Sequence, residues 1–396
     1  MKTLVINTGS SSIKFALFQM PEGTELAAGL VEQIGEKMGS IKIQTQETEH
    51  AEKLEIANHQ VGLKLVSDWL MDPKFNLIKD ATEVEAIGHR VVHGGEAFQK
   101  TTVIDAAVKA KIKELFGLAP LHNPPNYEGI EVAEHVFTDA KQVAVFDTAF
   151  HHTLPPKAYH YAIPQYLYDD YGIRVYGFHG TSHRYVARVS SEYLNIEPSK
   201  ANLITIHLGN GASMTAIKNG KSIDTTLGMT PLTGLVMGTR VGDIDPGVIF
   251  YLEEEKGYSI EKVKNLLNKE SGMKGLAGDN DLRAVTERAS NGDEAAQLAM
   301  EIYTYRIKKY IGAYIAAIGP IDAIIFTAGV GENSAMVREM VCQEMEHLGI
   351  EINTEENNTR KKGIREINTI GSNVKVLITP TNEEFEIARQ TFELLN

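Results

Sequence analysis

Five short blocks concentrate histidine, arginine or aspartate, four of them beside glycine or proline: "GHRVVHGGE" (88–96), "PLHNPPN" (120–126), "FDTAFHH" (146–152), "GFHGTSH" (177–183) and "GTRVGDIDPG" (238–247). An arginine in such a setting can grip a carboxylate or phosphate with two parallel hydrogen bonds. A histidine at a strand or loop end can donate to the oxygens of a transferring phosphoryl group. Any one of these residues is more often a solvated or core side chain, but Arg90, His179 and Arg240 taken together point to anion chemistry. Three further stretches could cradle phosphate: "TGSSS" (8–12), "LGNGAS" (208–213) and "TAGVGEN" (327–333). Their glycines let backbone N–H groups approach an anion closely, and their hydroxyl and amide side chains add hydrogen-bonding groups. The first two are expected as strand-to-strand turns, the third as a loop after a strand and ahead of a helix.

Other signals fail on inspection. "NGKS" (219–222) resembles the end of a P-loop, but Thr215 stands where the glycine is required, and Asn219-Gly220 suits a hairpin turn. "HRVVH" (89–93) has the spacing of a metal-binding helix, yet Arg90 replaces the needed glutamate and Gly94-Gly95 would stop a helix. "GVGEN" (329–333) runs into Ser334, where a dinucleotide fingerprint needs its third glycine. Glu253 to Lys256 suits a solvated helix end.

The elements that must carry these residues alternate β-rich and helical stretches, which predicts α/β layering. "TLVIN" and "IKFALF" form an opening hairpin; 142–149 and 322–329 are expected as buried strands. Helices are expected over 181–194, with Thr181 and Ser182 as caps, over 296–317, and over 383–395 with Phe385, Ala388, Phe392 and Leu395 on one face. An internal repeat links the halves. At an offset of 200, "INTGSSSIKFAL" (6–17) falls on "IHLGNGASMTAI" (206–217). Two similar domains follow, with a boundary near 150, each presenting its first hairpin turn.

The whole chain has 396 residues, long for one core. Its 39 basic and 52 acidic residues leave a net charge of −13, which argues against nucleic acid or an anionic membrane as partner. A single cysteine, Cys342, excludes an intrachain disulfide and fits a reducing, cytoplasmic setting. The apolar run before Asn7 is too short for a signal peptide, and 310–330 is cut by Gly319-Pro320 into a buried helix and strand instead of a membrane span.

Taken together, "NTGSSSIKF", "HRVVHGGE", "FDTAFH", "GFHGTSH", "HLGNGAS", "AGVGEN" and "TPTNEE" (379–384) make the chain resemble the acetate kinase family, from end to end. That resemblance implies two duplicated actin-like, ribonuclease H-like domains (βββαβαβα core) around an interdomain cleft. The first is expected over 1–150, the second over 151–383, with the terminal helix (about 384–396) packing back on the first. It implies reversible phosphoryl transfer between ATP and acetate, ATP/ADP as the nucleotide, Mg²⁺ or Mn²⁺ as the metal, and a homodimer.

Residue by residue, the resemblance implies that Asn7 and Glu383 place the metal and that Ser10, Ser12 and Lys14 lie near the phosphate. Arg90 would hold the acetate carboxylate. Val92, Leu121, Phe178 and Pro231 would enclose the methyl group, with His122 close by. Arg240 and His179 would stabilise the transition state, and Asp147 is either an acid/base or a group that orients the metal or an arginine. His207, Leu208, Gly209, Asn210 and Gly211 would cradle ATP phosphates. Asp281, Leu282, Arg283 and Gly329, Val330, Gly331, Glu332, Asn333 would bind the nucleotide. A propionate or butyrate kinase, or an ATP-driven conformational switch, remain open alternatives here.

Overall fold

In the computed structural model, which describes residues 1–396, the buried run after Lys2 forms β1 (Lys2–Thr8). It pairs antiparallel with β2 (Ser12–Gln19), with Asn7 opposite Lys14. Gly9 N–H donates to Ser12 O at 2.8 Å to close the turn. Gly9 does not take positive φ; a side chain is excluded there by space, because a Cβ would lie 2.9 Å from Ser12 Oγ.

The first sheet continues with β3 (Thr24–Glu32), β4 (Gly39–Thr45), β5 (Glu49–Leu54), β6 (Ala86–Val91), β7 (Thr102–Val103) and β8 (Lys141–Phe146), in the order β5-β4-β3-β2-β1-β6-β8-β7. The second is built from β9 (Leu203–Leu208), β10 (Ala212–Lys218), β11 (Lys221–Thr225), β12 (Ala323–Thr327), β13 (Arg365–Glu366) and β14 (Lys375–Ile378), in the order β11-β10-β9-β12-β14-β13. The run β3-β2-β1-β6-β8-β7 therefore recurs as β11-β10-β9-β12-β14-β13. Each pairing also keeps its direction: β1 with β6 and β6 with β8 are parallel, as are β9 with β12 and β12 with β14. The offset seen between residues 6 and 206 is thus a repeat of topology. The chain divides into one unit of Met1–His152 with Asn382–Asn396 and a second of Thr153–Thr381. No helix is long and apolar enough to cross a membrane.

Local chemistry accounts for the element ends. Asn219 and Gly220 sit at φ 50° and 71° between β10 and β11, the paired left-handed conformation that suits a two-residue hairpin. Asp293 caps the long helix Glu294–Ile318 by accepting from Ala296 N–H at 3.1 Å, and Gly319 ends it at φ 91°. Three expectations change. The helix Gly180–Tyr193 begins at His179, so Thr181 and Ser182 lie inside its first turn and do not cap it. Gly329 to Asn333 are themselves helical, within Ala328–Asn333, so the third glycine-rich stretch is not a loop. The terminal helix Glu383–Leu395 buries Ile387, Ala388, Gln390 and Thr391, while Phe385 and Phe392 are only half-buried.

The last shift has a steric cause. This helix lies against β6 and β1, and a Cβ on Gly88 would stand 2.6 Å from both Ile387 Cγ2 and Thr391 Oγ1. The bare backbone of Gly88 therefore draws Ile387 and Thr391 to the seam. Gly88→Val is expected to destabilise the first unit by about 2–3 kcal/mol through overpacking. A urea midpoint unchanged from wild type, with the terminal helix still resistant to proteolysis, would refute this seam.

Candidate active site

In the first unit the carboxyl ends of three adjacent parallel strands deliver the chemistry. Asn7 is the penultimate residue of β1, Arg90 lies near the end of β6, and Asp147 follows β8, with its N–H donating to Val91 O at 3.0 Å. Arg90 Nε and Nη2 both donate to Asp147 Oδ2, at 2.9 and 2.5 Å, and Nη1 donates to Asn7 Oδ1 at 3.3 Å. Asp147 is fully buried. Burial acts to lower the Arg90 pKa, but the Asp147 and Glu383 carboxylates outweigh it and hold the guanidinium above its ordinary value. Glu383 is pushed up to about 7, first by burial and further by Asp147 and Glu384, against the opposing pull of Arg90 and Lys14. Lys14 itself pairs with Glu384 at 2.7 Å.

These groups fit a hard divalent cation. Carboxylate and amide oxygens surround two cations, and Glu383 is held above its ordinary value by burial first and by the neighbouring carboxylates second. The set lacks a closed cage of three or more acidic or histidine ligands. That suits a metal held by one or two carboxylates while its other ligands are water and phosphate.

Two buried asparagines, unassigned at the level of sequence, hold the end of β6. Asn126 accepts from Val92 N–H at 3.0 Å and donates to Thr8 O at 2.6 Å. Asn123 accepts from His93 N–H and donates to His93 O, each at 3.0 Å. The asparagines of "NPPN" were visible as residues, but nothing marked them as clamps. Ser10 is exposed, Ser12 half-buried, Leu121 67 % exposed and Val92 buried. His122 precedes the helix Asn123–Val136. Phe178 (buried) and Pro231 (half-buried) belong to the second unit.

In the second unit three histidines meet. His179 stands at φ 56°, a left-handed conformation uncommon for a residue with a side chain. Its ring stacks on His207 at 4.5 Å between centroids. His207 Nδ1 pairs with Ser182 Oγ at 2.8 Å, and that hydroxyl meets Thr381 Oγ1 at 2.8 Å. A Cβ on Gly211 would lie 3.5 Å from His179 Nε2 and 3.6 Å from Arg240 Nη1, so both side chains converge on the glycine turn. Arg240 Nη1 donates to Pro231 O at 2.9 Å, and burial lowers its pKa.

A cavity of about 1010 Å³ opens beside that turn, lined by Gly209, Asn210, Asp281, Leu282, Arg283, Gly329, Val330 and Asn333. His207, Leu208, Gly211, Gly331 and Glu332 are not among its lining residues. Leu208 is fully buried in β9, and Gly331 O accepts from the buried Arg338 at 2.9 Å. Sequence reasoning missed Met273, Tyr303 and Arg360, which also line the cavity; no local pattern marks them.

Residues 2–389 match the profile of the acetokinase family. The chain belongs to that family. Among its relatives, acetate kinases of Flavobacterium johnsoniae and Helicobacter acinonychis are 53% identical over 395 residues and 50% over 399; the chain is covered completely, and the relatives to 100% and 99%. The crystal structure of Porphyromonas gingivalis acetate kinase superposes with a TM-score of 0.95 at 44% identity, covering 100% of both chains. A propionate kinase from Francisella tularensis gives 0.93 at 42%, covering 99% of each. Acetokinase membership brings ATP and acetate as substrates and a divalent metal in general, and it agrees with the repeated actin-like topology described above.

Within this acetokinase fold the neighbours of Arg90 are pH-sensitive. Burial pushes both His89 and His93 down to about 4 from 6.5. Between those values the unfolded chain binds protons that the folded chain does not, so stability rises with pH and is lost as pH falls from 6.5 toward 4. For His89, which pairs with Gln142 at 2.7 Å, the contribution is about 3 kcal/mol at full deprotonation. His89→Gln should flatten the fall in melting temperature between pH 7 and pH 5; an unchanged slope would show that His89 is not its source.

Proposed function

We propose that this chain transfers the γ-phosphoryl group of ATP to acetate, giving acetyl phosphate and ADP by direct in-line attack, with Mg²⁺ (Mn²⁺ as a substitute) as its divalent metal. The observation that carries this reading is the Arg90–Asp147–Asn7 cluster, a cation fixed at strand ends beside the elevated carboxyl of Glu383. Acetate is ionised near neutral pH, so it brings its own nucleophilic oxygen and needs no general base. The task that remains is positioning and charge neutralisation.

Arg90 offers acetate the N–H groups not committed to Asp147. Its Nε/Nη2 side is already taken, so the substrate carboxylate is held from the Nη1 side. Asp147 then acts as the orienter of Arg90 and not as an acid/base. Asn7 and Glu383 would hold the metal, which when bound neutralises phosphate oxygens. Arg240 supplies positive charge to the equatorial oxygens of the transferring group, with His179 donating beside it. Ser10, Ser12 and Lys14 lie on the hairpin that faces the phosphate, and the second-unit cavity takes the nucleotide. The reading includes a cytoplasmic homodimer, supported by the exposed Val248, Phe250 and Tyr251 on the helix Gly247–Glu254.

Hydroxylamine trapping with ATP, Mg²⁺ and acetate, propionate or butyrate tests the reaction. Acetyl hydroxamate is expected to dominate in kcat/KM, and no hydroxamate from any acid would end the proposal. One methylene discriminates by only about 1–3 kcal/mol, so propionate should turn over measurably. Arg240→Ala should lose kcat by two or more orders of magnitude, on the order of a lost oxyanion donor, with ATP affinity changed little; lost ATP binding with intact turnover would contradict the role. Asp147→Asn should lower kcat without removing a carboxylate limb from the pH profile. If such a limb disappears while metal affinity is untouched, Asp147 is a proton carrier after all.

A further inference from the structure

Behind His179 runs a buried file of hydrogen bonds that the reaction, as described, does not use. His179 Nδ1 meets Ser213 Oγ at 2.9 Å. Ser213 Oγ meets His183 Nε2 at 2.7 Å, and His183 Nδ1 meets Thr205 Oγ1 at 2.7 Å. Ser213, His183 and Thr205 are each fully buried. Thr205 lies on β9, Ser213 on β10 and His183 in the first full turn of the helix Gly180–Tyr193, so rigid elements set the spacing.

Such a file can be polarised in three senses, because each hydroxyl has one proton and each neutral imidazole one N–H. In the first, His179 Nδ1–H and His183 Nε2–H both donate to Ser213 Oγ, whose own buried proton is then left without a partner. In the second, protons point from His179 toward Thr205. His179 then donates from Nδ1, and the Thr205 hydroxyl only accepts, leaving its own proton without a partner at the buried end of the file. A buried donor left unmade costs about 1–3 kcal/mol. In the third sense Thr205 donates to His183 Nδ1, His183 Nε2–H donates to Ser213, and the Ser213 hydroxyl donates to His179 Nδ1. Every proton in the file is then placed, and His179 carries its hydrogen on Nε2.

We propose that Thr205, His183 and Ser213 are positioning residues that hold His179 neutral, in the tautomer with its proton on Nε2. That nitrogen is the one converging with Arg240 Nη1 over Gly211. The relay thus assigns the two donors different parts: Arg240 supplies charge, and His179 supplies a fixed N–H that adds no further charge beside the half-buried guanidinium. It also accounts for the left-handed backbone of His179, which the ring's anchor at Ser213 helps to hold. The inference rests on the proposed phosphoryl transfer for its consequence, but not for its first test.

That test is the tautomer itself, read by nitrogen-15 NMR of histidine-labelled protein, with the His179 signals assigned from His179→Gln. Wild type should show a hydrogen on Nε2 and a bare Nδ1 at pH 7.5, and Ser213→Ala should show a mixture of tautomers. A His179 protonated on Nδ1, alone or together with Nε2, overturns the relay. In the hydroxamate assay Ser213→Ala should lower kcat about 10- to 100-fold, the usual cost of losing a group that orients a working histidine, with KM for ATP within about threefold. Thr205→Val, which keeps the buried shape, should lower kcat in the wild-type background and have no further effect in Ser213→Ala; additive losses would show independent structural roles and overturn the relay. An Nε2–H signal in a protein that makes no hydroxamate supports the relay and removes the proposed reaction, so the two ideas fail separately.

Discussion

The bond from the Arg90 guanidinium to the buried Asp147 carboxylate is the interaction on which the first unit's chemistry depends. Asp147 is fully buried and Arg90 only partly exposed, so removing Arg90 would leave the Asp147 carboxylate a buried charge without its counter-ion, a loss of several kcal/mol. The pair exists because β6 and β8 are parallel neighbours, so both strands end on one edge of the sheet. Residues far apart in sequence are then within hydrogen-bonding reach, and Asn7 joins them from β1 by the same geometry. Ligand sites gather at the carboxyl ends of parallel strands for this reason.

The second sheet repeats the device with different contents. His207 lies at the end of β9 beside Thr327 of β12, and His179 and His183, at the start of the preceding helix Gly180–Tyr193, turn onto that edge. Where the first unit concentrates carboxylates around two cations, the second holds imidazoles, hydroxyls and the half-buried Arg240. The first therefore favours a metal and a carboxylate-gripping cation. On the proposed reading the second offers hydrogen-bonding imidazoles and hydroxyls to a phosphate-bearing ligand, with an open cavity beside Gly209 and Asn210. A net charge of −13 says nothing of this division, because local arrangement and not the sum determines what each site attracts.

Much of the candidate site was legible residue by residue. Arginine and histidine set close to glycine marked Arg90, His179 and Arg240, Asp147 entered through the family resemblance, and the offset between residues 6 and 206 exposed the duplication. The unmarked partners were the asparagine clamps at 123 and 126 and the Thr205–His183–Ser213 file. Asparagine at a helix start and threonine in a buried strand look the same whether or not they carry a proton or a backbone contact. The terminal helix was misread by part of a turn, because its apolar pattern favoured Phe385 and Phe392 while the bare backbone at Gly88 drew in Ile387 and Thr391.

What sequence alone determined is the set of chemical types and the local elements. Apolar runs set the strands, Asn219-Gly220 and Asp293 set a turn and a cap, and the glycine-flanked polar blocks set anion chemistry; these depend on neighbours within a few residues. Tertiary structure decided which groups meet. Whether Asp147 orients an arginine or stands as a free carboxylate depends on its distance from Arg90, 57 positions away. The elevated pKa of Glu383 depends first on its burial in the folded unit and then on carboxylates carried by another strand end and by its own helix. Hydrogen bonds and desolvation act over a few ångströms of space, and only the parallel crossing of strands turns long separations along the chain into such distances.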